Sequence, residues 1–305
     1  MPKEIFGRDF VFLRRDELLT FEELTRLVQV FVSLGVRKVR LTGGEPLLRR
    51  DLDQFVAMLA GVEGLEDIAL TTNGALLGQK AQDLADAGLR RVTVSLDSLD
   101  DAVFSRLNDV GFSVAGVLSS IAAAAMASLP VKVNMVVKRS VNIESIIPMA
   151  EHFRDSGHTL RFIEYMDVGN TNGWRLEEVV PIAEIIAMID QHWPLDLLEP
   201  NYLGEVARRY RYRDGGGEIG LISSVTQPFC GTCTRARLSA EGTLFTCLFA
   251  GLGHDLRAAL RRGDSDEELR TRVASLWSTR NDHYSELRSG NTVTSPKVEM
   301  SKIGG

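Results

Sequence analysis

Lys38-Val39-Arg40-Leu41-Thr42-Gly43-Gly44-Glu45-Pro46 is the stretch that sets the fold of this chain. Its first five residues alternate, so Val39 and Leu41 share one face of an extended segment and Arg40 and Thr42 the other. Two glycines then let the backbone turn tightly, and a proline fixes the exit. The same alternation returns at 68–72, 91–95, 131–137 and 160–165, with Ile68 and Leu70, Val92 and Val94, and Val131 and Val133 on the apolar faces. Helical patterns fill the gaps. Upstream, Thr20 and Glu23 are spaced as a capping box, Leu24, Leu27, Val28, Phe31 and Leu34 fall on one helical face, and Gly35 ends the run. Strand patterns alternating with helix patterns predict repeated βα units and a parallel sheet.

The second face of these strands points to function. It carries Arg40 and Thr42, Thr71, Thr93 and Ser95, Lys132 and Asn134, and Arg161, where a filled barrel would carry Val or Leu. If the sheet curls, these groups converge on one lumen near the C-terminal strand ends, and three cations held together there call for an anionic ligand. A solvated edge strand is the competing reading for any one of them. Beyond 170 the rhythm loosens, with a Gly-rich stretch at 214–217 and few strand-like runs, so the sequence divides into a partial (β/α) barrel over 1–169 and a C-terminal region over 170–305 that closes the open side. No internal repeat is evident, and the only biased segment is the Ala-rich run at 122–125.

A net charge of -6 argues against a chain that coats nucleic acid. No window is apolar enough for a membrane span, and Lys3, Glu4, Arg8, Asp9, Arg14 and Arg15 stand where a signal peptide would be apolar, so a cytoplasmic location is expected. The three cysteines, Cys230, Cys233 and Cys247, form a CxxC pair and a third thiol 14 residues on. Three thiolates suit an iron-sulfur cluster with one open iron, zinc closed by a histidine such as His254 or His283, or no metal at all. Arg235 and Arg237 follow the pair directly, and their guanidinium forks suit phosphate oxygens. An exposed arginine pair in surface ion pairs is the plain alternative.

With these residues in view, the sequence resembles the GTP 3',8-cyclases, the MoaA-type radical S-adenosylmethionine (SAM) enzymes of molybdenum-cofactor biosynthesis. LTGGEPLLRRDL at 41–52, LTTNG at 70–74, VSLDS at 94–98, RFIEYMDVGNTNGW at 161–174, FCGTCTRARLSAEG at 229–242 and the terminal Gly304-Gly305 carry the resemblance, which covers essentially the whole chain. It implies an incomplete (β/α) TIM-type barrel and two [4Fe-4S] clusters, one cleaving SAM to a radical and the other anchoring GTP. It further implies conversion of GTP to 3',8-cyclo-7,8-dihydro-GTP. Residue by residue, Cys230, Cys233 and Cys247 correspond to the ligands of the GTP-side cluster. Arg40, Thr71, Lys132, Arg235, Ala236 and Arg237 correspond to GTP-binding groups, and Gly44, Ser95 and Met166 to SAM contacts. Arg161 and the Gly304-Gly305 tail correspond to active-site groups. Implied partners are GTP, SAM and, downstream, cyclic pyranopterin monophosphate synthase, with no nucleic acid or membrane. A homodimer is compatible with the sequence, which does not set the oligomeric state.

One departure stands out. In the family a CxxxCxxC motif after the first strand supplies the SAM-cleaving cluster, just before a stretch like Met1-Pro2-Lys3-Glu4, and this chain has no such motif. The expectation is a reading frame started at an internal methionine, a barrel lacking its first strand, and a chain inactive as it stands. A catalytically inactive GTP- or cluster-binding relative and a zinc-stapled binding module are the alternatives.

Overall fold

A computed structural model describes residues 13–108, 111–169, 173–288, 297–299 and 302. The five expected strands form within a residue of the alternation, at Lys38–Leu41 (β1), Asp67–Thr72 (β2), Arg91–Ser95 (β3), Val131–Val137 (β4) and Thr159–Glu164 (β5). Consecutive strands pair in parallel, and helical chain separates each from the next. Leu70, Val92, Val94, Val131, Val133, Met135 and Val137 are buried beneath that cover. Val39 and Leu41 are only half-buried, as fits a strand at one end of the sheet order.

The capping box forms at the helix Phe21–Ser33. Thr20 Oγ1 accepts the Glu23 N–H at 3.1 Å, and the Glu23 carboxylate accepts the Thr20 N–H at 2.8 Å, satisfying two amides that the helix cannot. Leu24, Leu27 and Val28 are buried as the spacing predicts, and Phe21 stacks on Phe55 of the helix Leu52–Ala60 with centroids 4.8 Å apart.

The expectation of few strands beyond 170 is corrected. Leu195–Leu197 (β6), Arg208–Tyr212 (β7) and Glu218–Ile222 (β8) extend the same sheet to the order β1-β2-β3-β4-β5-β8-β7-β6. β8 lies parallel to β5, β7 pairs antiparallel with β8, and β6 pairs antiparallel with β7. The C-terminal region therefore supplies three of the eight strands. β7 escaped notice because Arg208, Arg209 and Arg211 mask the inward alternation of Tyr210 and Tyr212, both buried. Arg237–Leu238 (β9), Thr243–Phe245 (β10) and His254–Asp255 (β11) make a separate antiparallel sheet around the cysteines. Among the described residues no helix is long and apolar enough to cross a membrane.

Candidate active site

Strand register places the polar face as one surface. Arg40 pairs across Ala69 with Arg91. One rung on, Thr71, Thr93, Lys132 and Thr159 line up, and next Ser95, Asn134, Arg161, Gly220 and Arg209. Residues in register share a face, so the alternation read from sequence becomes a common surface. That surface is curved. Arg40 Nη1 donates to Thr71 Oγ1 at 2.9 Å and Thr93 Oγ1 at 3.2 Å, and Arg161 Nη2 donates to the same Thr93 Oγ1 at 3.3 Å. In a flat sheet with strands about 4.8 Å apart, β1 and β5 would stand roughly 19 Å from each other. Side chains from both meet on the strand midway between them. Lys38 also sits 3.9 Å from the ring centroid of Tyr202, in the connection between β6 and β7, so a residue beyond one end of the sheet order touches the strand at the other.

Electrostatics concentrate positive charge there. Asp67 engages Arg91 at 2.6 Å, but among the described residues no carboxylate is hydrogen-bonded to Arg40, Lys132 or Arg161. Loss of water, then the neighbouring Arg161 and Arg91, pull the Lys132 ammonium down to about 8. Loss of water and then Arg40 bring Arg161 to about 10. Arg40 shifts the same way although part of the residue is exposed, since loss of water around its guanidinium opposes its charge. Arg161 is held by Asn134, whose Oδ1 accepts Nε at 2.9 Å.

At the strand end, Glu45 of the Gly-Gly-Glu-Pro turn is engaged by two backbone amides and a hydroxyl. Its carboxylate accepts Leu47 N at 3.0 Å, Thr72 Oγ1 at 2.8 Å and Asn73 N at 2.8 Å, so the turn is pinned to the C-terminal end of β2. The glycine conformation belongs to Gly43, with φ 138°, while Gly44 is exposed beside it. Ser95 and Met166 end β3 and follow β5, both half-buried.

The cysteines occupy a loop and the end of the small sheet. Cys230 opens a short 3-10 turn, Cys233 follows it, and Cys247 lies just past β10; all three are free and partly buried. Burial raises the Cys233 thiol, but Arg235, whose Nη2 donates to its Sγ at 3.1 Å, more than reverses this. Burial pushes the Cys247 thiol up, and both Cys230 and Arg237 act on it electrostatically. Arg237 feels Cys247 and Cys233 in turn. Arg235 thus turns to a sulfur, Arg237 lies among the thiols, and Ala236 between them is exposed. Among the described residues no three His, Cys, Asp or Glu side chains are close enough to ligate a single metal ion. A cavity of about 210 Å³ lies against Cys230 and Cys233, walled also by Trp277, Arg280, Asp282 and His283.

A segment that sequence reading passed over links the two halves. Tyr202 and Glu205 act electrostatically on Arg161, and Glu205 on Lys132. A side chain at Gly204 would meet the Thr232 carbonyl at 3.1 Å and Thr234 Oγ1 at 3.4 Å, so a segment that acts electrostatically on the strand cations also lies against the cysteine loop. Arg91 and Gly220 were missed too: Arg91 began a strand whose alternation seemed complete without it, and a glycine gives no polar signal. Gly304 and Gly305 lie outside the described residues.

Residues 5–153 match the Radical SAM superfamily, and residues 158–286 match Molybdenum Cofactor Synthesis C. A GTP 3',8-cyclase of Acidothermus cellulolyticus is 56% identical over 100% of this chain and 87% of its own length. One of Staphylococcus aureus is 50% identical over 100% of this chain and 91% of its own. Among solved structures, Streptococcus suis SuiB overlaps 57% of this chain and 40% of its own, with TM-score 0.48 and 18% identity. Two domain matches in tandem, and identity of half or more along the full chain, show that the chain belongs to the GTP 3',8-cyclase family of radical SAM proteins.

Proposed function

We propose that this chain is a GTP 3',8-cyclase of molybdenum-cofactor biosynthesis, with GTP held between the lumen cations and the cysteine loop. The observation that carries this reading is the convergence of Arg40, Lys132 and Arg161 on one curved face where, among the described residues, no carboxylate is hydrogen-bonded to them. Clustered cations repel one another unless an anion lies among them, and a nucleoside triphosphate supplies that charge. Thr71 supports the cluster by accepting from Arg40. The two guanidiniums that meet on Thr93 support an incomplete barrel, with β8, β7 and β6 extending the strand order beyond β5.

The donor set fits a [4Fe-4S] cluster better than a lone ion. Three soft thiolates are present, cations flank them, and a cavity adjoins two of them. A cluster gives each thiolate its own iron, so the sulfurs stand farther apart than ligands of a single zinc. Cys230, Cys233 and Cys247 would hold it, leaving one iron open toward the nucleotide. When bound, the clusters and SAM supply the radical chemistry that closes the ring between C3' and C8 of GTP. The chain's own part is to orient GTP with Arg40, Thr71, Lys132, Arg161 and the 235–237 segment. It also seats SAM on Gly44, Ser95 and Met166. The product is the substrate expected by cyclic pyranopterin monophosphate synthase.

Cys230, Cys233 and Cys247 supply the thiolates of one such cluster. Anaerobic reconstitution of the chain should yield about four irons per molecule. Arg161→Met should weaken GTP binding by about tenfold or more, the scale of one charge-assisted hydrogen bond. One zinc per chain, undiminished iron after replacing all three cysteines, or unchanged GTP affinity in the Arg161 variant would overturn the reading.

A further inference from the structure

Asp167 follows Met166 just past β5 and is only 1% exposed. A carboxylate so placed requires cations or hydrogen-bond donors around it. Its side-chain donors come from the far end of the chain: the Tyr284 hydroxyl at 2.5 Å, Arg288 Nε at 3.0 Å and Lys297 Nζ at 2.9 Å. Lys297, itself 7% exposed, donates as well to the Asp167 carbonyl at 3.0 Å. The Glu299 carboxylate fills the space that a Cβ on Gly169 would take, so residues 297–299 lie directly on the turn that leaves β5.

The same residues grip the chain just after Cys247. Phe249 stacks on Tyr284 with centroids 4.5 Å apart, and the Arg288 guanidinium lies 5.5 Å from the Phe249 ring. Val298 N–H donates to the Ala250 carbonyl at 3.2 Å, and Phe249 N–H donates to Cys247 Sγ at 3.4 Å. One buried carboxylate thus gathers two cations and a phenol, and those groups press on the two residues that position a cysteine. A core of apolar contacts could hold the same segment, but it would not fix direction as a carboxylate shared by three donors does.

We infer that Asp167 is a positioning residue: through Tyr284, Arg288 and Lys297 it fastens residues 249–250, and with them the Cys247 thiol, against the C-terminal end of β5. Its consequence for iron rests on the cluster reading given above; the fastening itself does not. Asp167→Asn would leave two buried cations facing a neutral amide and loosen both ends of the tie.

Hydrogen exchange on the full, metal-free chain tests the tie. Asp167→Asn should speed amide exchange at 247–250 and 284–288 by tenfold or more and leave the helix Phe21–Ser33 unchanged. Lys297→Met keeps the Asp167–Arg288 pair and should shift the same amides in the same direction by less, which covers the case of an Asn variant that does not fold. After anaerobic reconstitution, Asp167→Asn should lose iron to a chelator several-fold faster and show an altered electron paramagnetic resonance signal from the reduced cluster. Unchanged exchange at 247–250, or acceleration spread equally over the helix Phe21–Ser33, would overturn the inference. Wild-type protein that takes up no iron while the exchange pattern holds would sink the cluster reading and leave the fastening supported.

Discussion

Arg161 can stand where it does because β8 carries no side chain beside it. A Cβ on Gly220 would lie 2.8 Å from Arg161 Cγ, too close without a shift, and a tight 3.3 Å from the Ala207 Cβ. Gly220→Ala should displace the guanidinium from Thr93 and weaken GTP binding about tenfold, a strain of the size that overpacking costs. Titration calorimetry should show that this loss vanishes in an Arg161→Ala background, and denaturation should show the double variant more stable than Gly220→Ala alone. Equal losses in both backgrounds would refute the clash. Lys132 gives a pH dependence. Its ammonium titrates near 8 in the fold, below the ordinary lysine value, because burial and then Arg161 and Arg91 oppose its charge. Below that pH the charged side chain burdens the fold; above it the folded amine is neutral and the burden lifts until the unfolded lysine also deprotonates. The protein alone therefore gains stability as pH rises past 8, whereas GTP, which needs the charge, binds roughly tenfold more weakly at about pH 9 than at about pH 7. Lys132→Met should flatten both trends, and a pH-independent affinity in the wild type would remove Lys132 from the nucleotide site.

Among elements, β5 is the one on which the most depends. Its last residue, Glu164, is 0% exposed, and its carboxylate accepts Ile182 N at 3.0 Å and Val225 N and Thr226 N at 2.8 Å each, together with the Thr226 hydroxyl at 2.5 Å. One side chain thus satisfies the start of the helix Ile182–Asp190 and the turn after β8, joining both to the parallel strands. Glu164→Gln substitutes an N–H for an acceptor among four donors and should destabilise the protein by about 2–3 kcal/mol in urea unfolding, the range for an unsatisfied buried group. A change under about 0.5 kcal/mol, typical of a surface site, would contradict that role. The sequence displayed β1 through β5 because each alternates cleanly, and it displayed the Thr20 and Glu23 cap because that motif is local. It concealed β6 through β8. They pair in sequence outward from β5 through β8, a neighbour distant along the chain, and β7 carries three arginines in five residues.

For the molecule as a whole, local order in the sequence determined which side chains share a face, because a strand's period is fixed by backbone geometry. Arg40, Thr71, Lys132 and Arg161 could be grouped that way, and the CxxC pair with its third cysteine accounted for all the thiols in the sequence. Curvature was beyond it: whether Arg40 and Arg161 meet on Thr93 depends on how eight strands twist together, a property of no single segment. The partnership of Asp167 with Lys297, the contact of Tyr202 with Lys38 of β1, and the room left at Gly220 were likewise settled only by tertiary packing. Each joins residues distant along the chain, and sequence periodicity carries information about neighbours a few residues apart, not about which distant groups the closed fold brings within hydrogen-bond reach.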